Sequence, residues 1–488
     1  MKHIADWALN TAAQRGASYC DLRVVDERDR MLATKNGAVG HASEGESLGV
    51  GIRVIVNGSW GFAATEELTR EGVEGAAVQA VEIARASAGV KEHDVRLAPE
   101  KPVTVEWSSP CRVDPFSTSI EQNLDLLLRV DKELRAVEGV TLAETNLHLR
   151  RYEQWFYSSE GSDIHQTRTT TGAGFTAYSF QGSEIQKRSY PNSFGGQYQN
   201  KGYELIEELK LVDNARRIGE ECVALHKADQ CPEGKSDIVL DSSQLGLQIH
   251  ESIGHPIELD RVLGMEANFA GMSFLTLEKL RTLRYGSDIV NVVADATEQH
   301  GPGLGTFAYD DEGVPAQCTP IITNGLFTGY LSSRETAHAI SEQRSNGTMR
   351  AEGWNRIPII RMTNVSILPG EKPLSLEQLI SGTDRGIFMQ TNRSWSIDDK
   401  RYNFQFGTEI GWEIKGGKLG RMLKNPSYSG ITTEFWNSMD AICSRDQWTL
   451  WGTPNCGKGQ PMQTMGTGHG AAPARFRNVT VGTAYKGA

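Results

Sequence analysis

Residues 247–260 read LQIHESIGHPIELD. Within them His250, Glu251 and His255 form an H-E-x-x-x-H pattern just ahead of Pro256. Neutral imidazole is a common zinc ligand, and a catalytic zinc takes three protein ligands while keeping one position open. A nearby carboxylate can accept a proton from water. The residue types therefore point to a metal-dependent peptidase, with the two imidazoles on zinc and Glu251 handling the proton.

The spacing needs a physical account. In the familiar H-E-x-x-H pattern the histidines lie one turn apart on one helix face. Here the second histidine comes one residue later, and on a regular α-helix such side chains diverge by about 140°. An i→i+5 π turn brings them back into line. Gly254 and Pro256 flank His255, so the backbone there distorts easily. The stretch predicts a helix, capped by Asp241 or Ser242, that ends in a distorted turn. The competing reading is a helix end whose two histidines are hydrogen-bonded and hold no metal.

Upstream, Asp237–Leu240 reads as a short apolar strand feeding this helix, and residues 226–235, with Pro232 and Gly234, read as a boundary. The pattern thus predicts two domains, 1–230 and 231–488. The first is an α+β layer of helices and antiparallel strands. Ile4–Arg15 is an amphipathic helix ending at Gly16. Strands follow at Tyr19–Asp26, Leu48–Val56 and Trp60–Ala64, the last two joined by Asn57-Gly58. A second helix, Thr69–Ala88, completes a helix–meander–helix unit. The order recurs with a helix at Ser119–Val137, strands at Val140–Arg150, Glu153–Ser158 and Asp163–Ser179, and a helix at Tyr203–Leu225, which suggests an internal duplication.

Downstream the pattern is rich in strands: Ile289–Ala294, Cys318–Thr323, Leu326–Leu331, Ile357–Leu368 and Tyr402–Ile414, with short helices at Ser333–Gln343 and Ser375–Ile380. The fold class is α+β, with a β-rich carboxy-terminal domain that carries the motif helix near its start.

Composition narrows the function. The chain has 488 residues, 39% hydrophobic and 23% charged, with a net charge of −11. That balance, without a long basic run, argues against nucleic acid as the main partner. No apolar segment is long enough to span a bilayer, and the amino terminus lacks a signal core. Seven scattered cysteines, none in a CxxC, suggest reduced thiols and a cytoplasmic location.

A third zinc ligand must come from elsewhere. Glu258 and Asp260 are near in sequence but follow a proline, and His300 and His338 stand alone. Cys456 lies in TPNCGKGQPM, where glycines allow close approach and Lys458 favours thiolate; a buried structural cysteine is its other reading. His469, in GTGHGAAPARF, is a further candidate for a ligand or an oxyanion donor.

HESIGH at 250–255, followed far downstream by CGKGQ at 456–460, resembles the TldD/PmbA metallopeptidase family. DDEGVPAQ at 310–317, NGLFTGYL at 324–331, RMTNVSILPG at 361–370, EIGWEIKGGKL at 409–419 and LGVGIRVI at 48–55 extend the likeness over most of the chain. The resemblance implies a catalytic member in which His250, His255 and Cys456 bind zinc and Glu251 is catalytic. It implies unfolded or extended peptides as substrates, and a homodimer or a heterodimer with a PmbA-like relative that lacks the motif. Residues 461–476 depart from the family pattern, standing where a shorter turn is expected.

Three further expectations follow. Asp310, Asp311 or Glu312 are candidates to orient the histidines. An extended peptide should bind by adding a strand to a sheet edge, with weak sequence preference. Among rival functions, a non-catalytic subunit of a peptidase complex would carry vestigial histidines. A serine hydrolase at Ser47, in Gly45-Glu46-Ser47-Leu48-Gly49, conflicts with its context, because that motif runs into a strand rather than a strand–turn–helix elbow.

Overall fold

The computed structural model describes residues 1–267 and 271–482. Helix Lys2–Gln14 (α1) leads into β1 (Tyr19–Lys35), β2 (Ala38–Val56) and β3 (Ser59–Thr65), an antiparallel meander, and then α2 (Arg70–Ser87). Asn57 and Gly58 both take positive φ (51° and 69°), the geometry of a tight hairpin turn. Thr69 caps α2 by accepting from the Gly72 N–H. The apolar faces of α1 and α2 pack on one face of this meander through Ala8, Ala12, Val73, Ala77 and Val81.

β4 (Thr104–Ser108) and α3 (Ile120–Arg135) follow, the latter opened by a Ser119/Gln122 capping box. β5 (Leu142–Ser158), β6 (Asp163–Gln181), β7 (Glu184–Tyr190) and β8 (Gln197–Gln199) complete the first sheet, in the order β3-β2-β1-β5-β6-β4, with β7 and β8 also on β6. The two meanders thus join through their first strands, β1 against β5.

Two expectations change here. β1 and β2 run well past residue 26 and begin well before 48, because residues 38–48 form an exposed ribbon with no buried face to impose alternation. The single helix expected over 203–225 is two, α4 (Glu204–Leu209) and α5 (Leu211–Ala224), broken at Lys210 with φ 47°.

The remaining chain contributes β9 (Asp229–Gln230), β10 (Gly234–Leu240), α6 (Ser242–Ile249), a π turn at His250–Gly254, α7 (Leu259–Val262), β11 (Val292–Asp295), β12 (Cys318–Thr323), β13 (Leu326–Phe327), β14 (Met349–Arg350), β15 (Ile359–Ile360) and β16 (Asn364–Ile367). It ends with α8 (Leu376–Ser381), β17 (Arg385–Ile397), β18 (Asn403–Lys415), β19 (Lys418–Lys424), β20 (Ser427–Ile431), α9 (Thr432–Asn437), β21 (Met439–Ile442), β22 (Thr449–Lys458), β23 (Gln463–Ala471) and β24 (Ala474–Val481). One sheet runs β17-β10-β24-β20-β18-β19-β9 and closes on itself where β17 also pairs β18; a second runs β13-β12-β11-β16-β23-β22. The fold is α+β. The strand expected over 357–368 is interrupted between β15 and β16, and only a short 3₁₀ turn at Ala337–Ile340 occupies the helix expected over 333–343. Residues 461–476 are mostly not loop but the strands β23 and β24.

Helix α6 lies between these two sheets with every residue buried. A helix in that position cannot be amphipathic, so its polar side chains must find partners inside. Gln244 donates to the Tyr428 hydroxyl (2.9 Å), which donates to Gln248 (3.0 Å), which donates to Ser252 (3.0 Å). This chain fixes the rotation of the helix and therefore the direction of the side chains at its end. The amino-terminal sheet meets the carboxy-terminal half through ion pairs: Arg53, held within the sheet by Asp21 (2.6 Å), reaches Glu312 (3.2 Å), and Arg188 reaches Glu409 (3.1 Å).

Candidate metal centre

Asp241 caps α6 by accepting from the Gln244 N–H at 3.0 Å, as the sequence suggests. At the other end the His255 N–H donates to the His250 carbonyl at 3.1 Å, an i→i+5 bond. The extra residue in that turn places both imidazoles on one side, their ring centroids 4.8 Å apart. Cys456 arrives from β22, not from a loop, with Sγ 3.8 Å from His255 Nε2. One ligand atom from each of His250, His255 and Cys456 lies within 4.8 Å of the others, and all three residues are buried.

The 3.8 Å between Cys456 Sγ and His255 Nε2 is close to what zinc requires. Zn–N bonds of about 2.0–2.1 Å and a Zn–S bond of about 2.3 Å in a tetrahedron put donors about 3.3–3.6 Å apart. Protonation fits as well. Burial holds His250 and His255 below the ordinary imidazole value, so both are neutral. Burial opposes ionisation of Cys456, but Arg361 and then His255 outweigh it and lower the thiol. Neutral imidazoles and a thiol shifted toward ionisation suit a metal, which takes the unprotonated forms.

Hydrogen bonds then fix which ring nitrogens face the ion. His469 Nδ1 lies 3.0 Å from the Val365 carbonyl, which can only accept, so Nδ1 carries the proton. Its Nε2 accepts from His250 Nδ1 at 2.7 Å and leaves His250 Nε2 with a lone pair. Burial above all, then the nearness of His250, holds His469 well below the ordinary value, in keeping with a neutral acceptor. His255 Nδ1 donates to Glu258 Oε2 at 3.1 Å, freeing Nε2 toward Cys456. Glu258 is itself buried, yet Lys458 and Arg261 outweigh that burial and keep it ionised.

Glu251 is held by Arg401, whose NH1 donates to Oε2 at 2.7 Å. Arg401 sits in the turn between β17 and β18 with φ 65°.

Several sequence expectations resolve differently. Asp310, Asp311 and Glu312 do not touch the histidines. Asp310 accepts backbone N–H groups of Glu312, Val314 and Met349, Asp311 binds Gln154 and the Ala351 N–H, and Glu312 pairs with Arg53. Glu258 orients His255 instead. Lys458 engages Asp260 at 2.7 Å rather than the thiol, so the cation acting on Cys456 is Arg361. His469 is the hydrogen-bond partner of His250. His338 lies in the 3₁₀ turn at Ala337–Ile340. His300 groups with Asp295 and Cys318, but burial pushes that thiol up to about 11, away from a ligand's thiolate form. Ser47 lies within β2, and its hydroxyl accepts from Trp354 (2.9 Å); no nucleophile elbow forms there. The roles of Arg401 and His469 leave no local signature in the sequence, since both act through contacts between distant segments.

Comparison with known proteins gives the family of the chain. Residues 20–84 match PmbA/TldA metallopeptidase domain 1, residues 113–227 the PmbA/TldA metallopeptidase central domain, and residues 233–483 the PmbA/TldA metallopeptidase C-terminal domain. A metalloprotease of Methanothermobacter thermautotrophicus is 30% identical over 95% of this chain and 95% of its own. A metalloprotease of Methanocaldococcus jannaschii is 29% identical over 93% and 95%. A zinc metalloprotease TldD homolog of Saccharolobus solfataricus is 23% identical over 89% and 90%. Among solved structures, TldE from Thermococcus kodakarensis superposes with a TM-score of 0.72 at 14% identity, covering 98% of this chain and 99% of its own. A Thermotoga maritima protein reaches 0.77 at 16% identity, covering 99% and 100%. The chain belongs to the PmbA/TldD metallopeptidase family.

Proposed function

We propose that the protein is a zinc peptidase that hydrolyses peptide bonds in extended or unfolded peptides. The observation that carries this reading is the convergence of His250 Nε2, His255 Nε2 and the Cys456 thiolate, with Glu251 next to the first ligand in the chain. Zinc held by those three groups supplies Lewis acidity and makes a water nucleophile available near neutral pH. The residues do the rest. His469 and Glu258 hold the ligand imidazoles in their required tautomers. A carboxylate oxygen of Glu251 takes the proton from the attacking water and returns it to the leaving amine nitrogen. Arg401 fixes the direction of that carboxylate. The burial of the ligands excludes competing solvent.

Extended substrates suit this setting, because β22 is the edge strand of its sheet and carries Cys456. A peptide added along that edge passes the ligand set with its backbone exposed to it. β8 covers the start of that edge, where Gln197 donates to the Leu450 carbonyl at 2.8 Å and accepts from the Gly452 N–H at 2.9 Å, so a peptide adds only beyond Gly452, toward Cys456.

Metal content and peptide cleavage, measured together, test the proposal. Wild type should bind one zinc and cleave an unstructured quenched peptide. Glu251→Gln should keep the zinc and lose cleavage by about 10²–10⁴-fold. Cys456→Ala should lose both. Zinc binding without turnover in wild type would indicate a binding subunit instead, and full zinc affinity in Cys456→Ala would remove the thiolate from the donor set.

A further inference from the structure

Beside the metal centre is a second polar feature that the proposed chemistry does not use. A cavity of about 80 Å³ lies between the amino-terminal sheet and the carboxy-terminal strands. Arg150, Tyr152 and Arg168 line it from β5 and β6, where Tyr152 and Arg168 are direct register partners. Arg350 and Met465 line it from the other side. Met465 is the register partner of Cys456 across β22 and β23, so one wall of the cavity is the strand pair that presents the thiol.

The charges in this cavity are not balanced. Three guanidinium groups line it against one carboxylate, Glu352, which faces Arg356 at 3.9 Å. Arg150 is neutralised by Glu27 at 2.6 Å. Arg168 makes no ion pair among the described residues, and its guanidinium lies over the Tyr152 ring at 4.4 Å. Arg350 is buried and uses three of its five N–H donors on the carbonyls of Met362, Gly466 and Leu304, while its Nε has no partner. Burial, then repulsion from Arg168 and Arg361, depresses Arg350 to about 9. A buried cation held only by neutral carbonyls next to a second unpaired cation is costly unless an anion joins them. The cavity has room for more than one water, enough for a planar anionic group, and guanidinium forks match a carboxylate.

We infer that this cavity is a carboxylate subsite, in which Arg168 and Arg350 receive an acidic side chain or the free carboxy terminus of a bound peptide. That the carboxylate belongs to a peptide rests on the peptidase reading; that the site takes a carboxylate does not. Through Met465 and Cys456 the subsite lies next to the metal ligands, so it sets which bond of a bound peptide is presented to them.

Direct binding to the metal-free protein tests this without turnover. The probes are fluorescent hexapeptides of Gly, Ser and Ala with blocked ends, carrying Glu or its isostere Gln at successive positions, and a matched pair with a free or amidated carboxy terminus. In wild type at least one carboxylate peptide should bind tenfold or more tightly than its neutral isostere. Preference confined to the Glu series identifies a side chain, and preference confined to the free terminus identifies the chain end. In Arg168→Gln the ratio should fall toward one, and Arg168→Lys should retain part of it. A wild-type ratio near one, or a ratio that survives Arg168→Gln, overturns the subsite, and the wild-type arm alone suffices should the variant fail to fold. Cleavage by the zinc-loaded protein is scored separately. Discrimination without cleavage would count against the peptidase, and cleavage without discrimination against the subsite.

Discussion

His469 Nε2 lies 2.7 Å from His250 Nδ1, and His469 Nδ1 lies 3.0 Å from the Val365 carbonyl. The direction of both protons is set by that carbonyl, so a residue that is not a ligand decides whether His250 can be one. His469→Ala should lower zinc affinity about 10–100-fold with all three donors still present. His469→Gln, whose amide oxygen can accept from His250, should recover part of the loss. Chelator competition measures both, and unchanged affinity in the alanine variant would show that the tautomer is set elsewhere.

Arg401 holds the Glu251 carboxylate at 2.7 Å. Arg401→Ala should leave zinc stoichiometry intact and lower kcat by about 10–100-fold, with KM little changed, because a misplaced base affects the chemical step rather than peptide binding. Steady-state kinetics beside metal analysis reads this directly. A rise in KM alone would assign Arg401 to substrate binding.

Asp398 organises the turn that carries Arg401, accepting from the Tyr402 N–H (2.7 Å) and the Asn403 N–H (3.0 Å). Burial opposes its ionisation, but these bonds and the Asn403 amide outweigh burial and hold it below the ordinary carboxylate value. A depressed carboxyl stabilises the fold above its unfolded value of about 3.9 and loses that contribution as pH falls through the folded value. Metal-free wild type should therefore be more stable to urea than Asp398→Asn at pH 6, with the gap closing toward pH 3. A gap independent of pH would mean that the carboxylate's charge has no part in it.

Gly468 precedes His469 on β23, and a Cβ placed there would sit 2.1 Å from the Asn364 amide oxygen. That amide already accepts from the Gly305 N–H and donates to the Asp295 carbonyl and the Thr306 hydroxyl, so it has no free direction in which to move. Gly468→Ala should destabilise by about 1–3 kcal/mol and displace His469. Thermal melting together with zinc affinity checks this. A normal melting point would show that Asn364 yields without cost.

The motif was legible because its parts are local. His250, Glu251 and His255 fall within six residues, and Gly254 and Pro256 announce the distortion that the π turn realises. Cys456 was legible as a candidate from its flanking glycines, but its strand setting was not, since Pro454, Gly457 and Gly459 read as loop punctuation. The early part of β2 escapes because residues 38–48 are exposed on both faces and leave no period-two signal. Glu258 was placed among possible ligands for its nearness in sequence, yet only the packing of Lys458 and Arg261 around it reveals an orienting role. The broken helix at Lys210 depends on a left-handed backbone that lysine does not advertise.

The order of the donors along the chain has a temporal consequence. His255 and Cys456 are 201 residues apart, and β10, which leads into the motif helix, pairs with β24 at the far end. At ordinary translation speeds of about 5–20 residues per second, the thiol follows the histidines off the ribosome by about 10–40 s. During that interval the growing polypeptide holds Glu251 but only two of the three proposed donors. On the proposed reading, zinc binding by the full donor set therefore waits for residue 456, a delay written into the placement of a single sulfur atom.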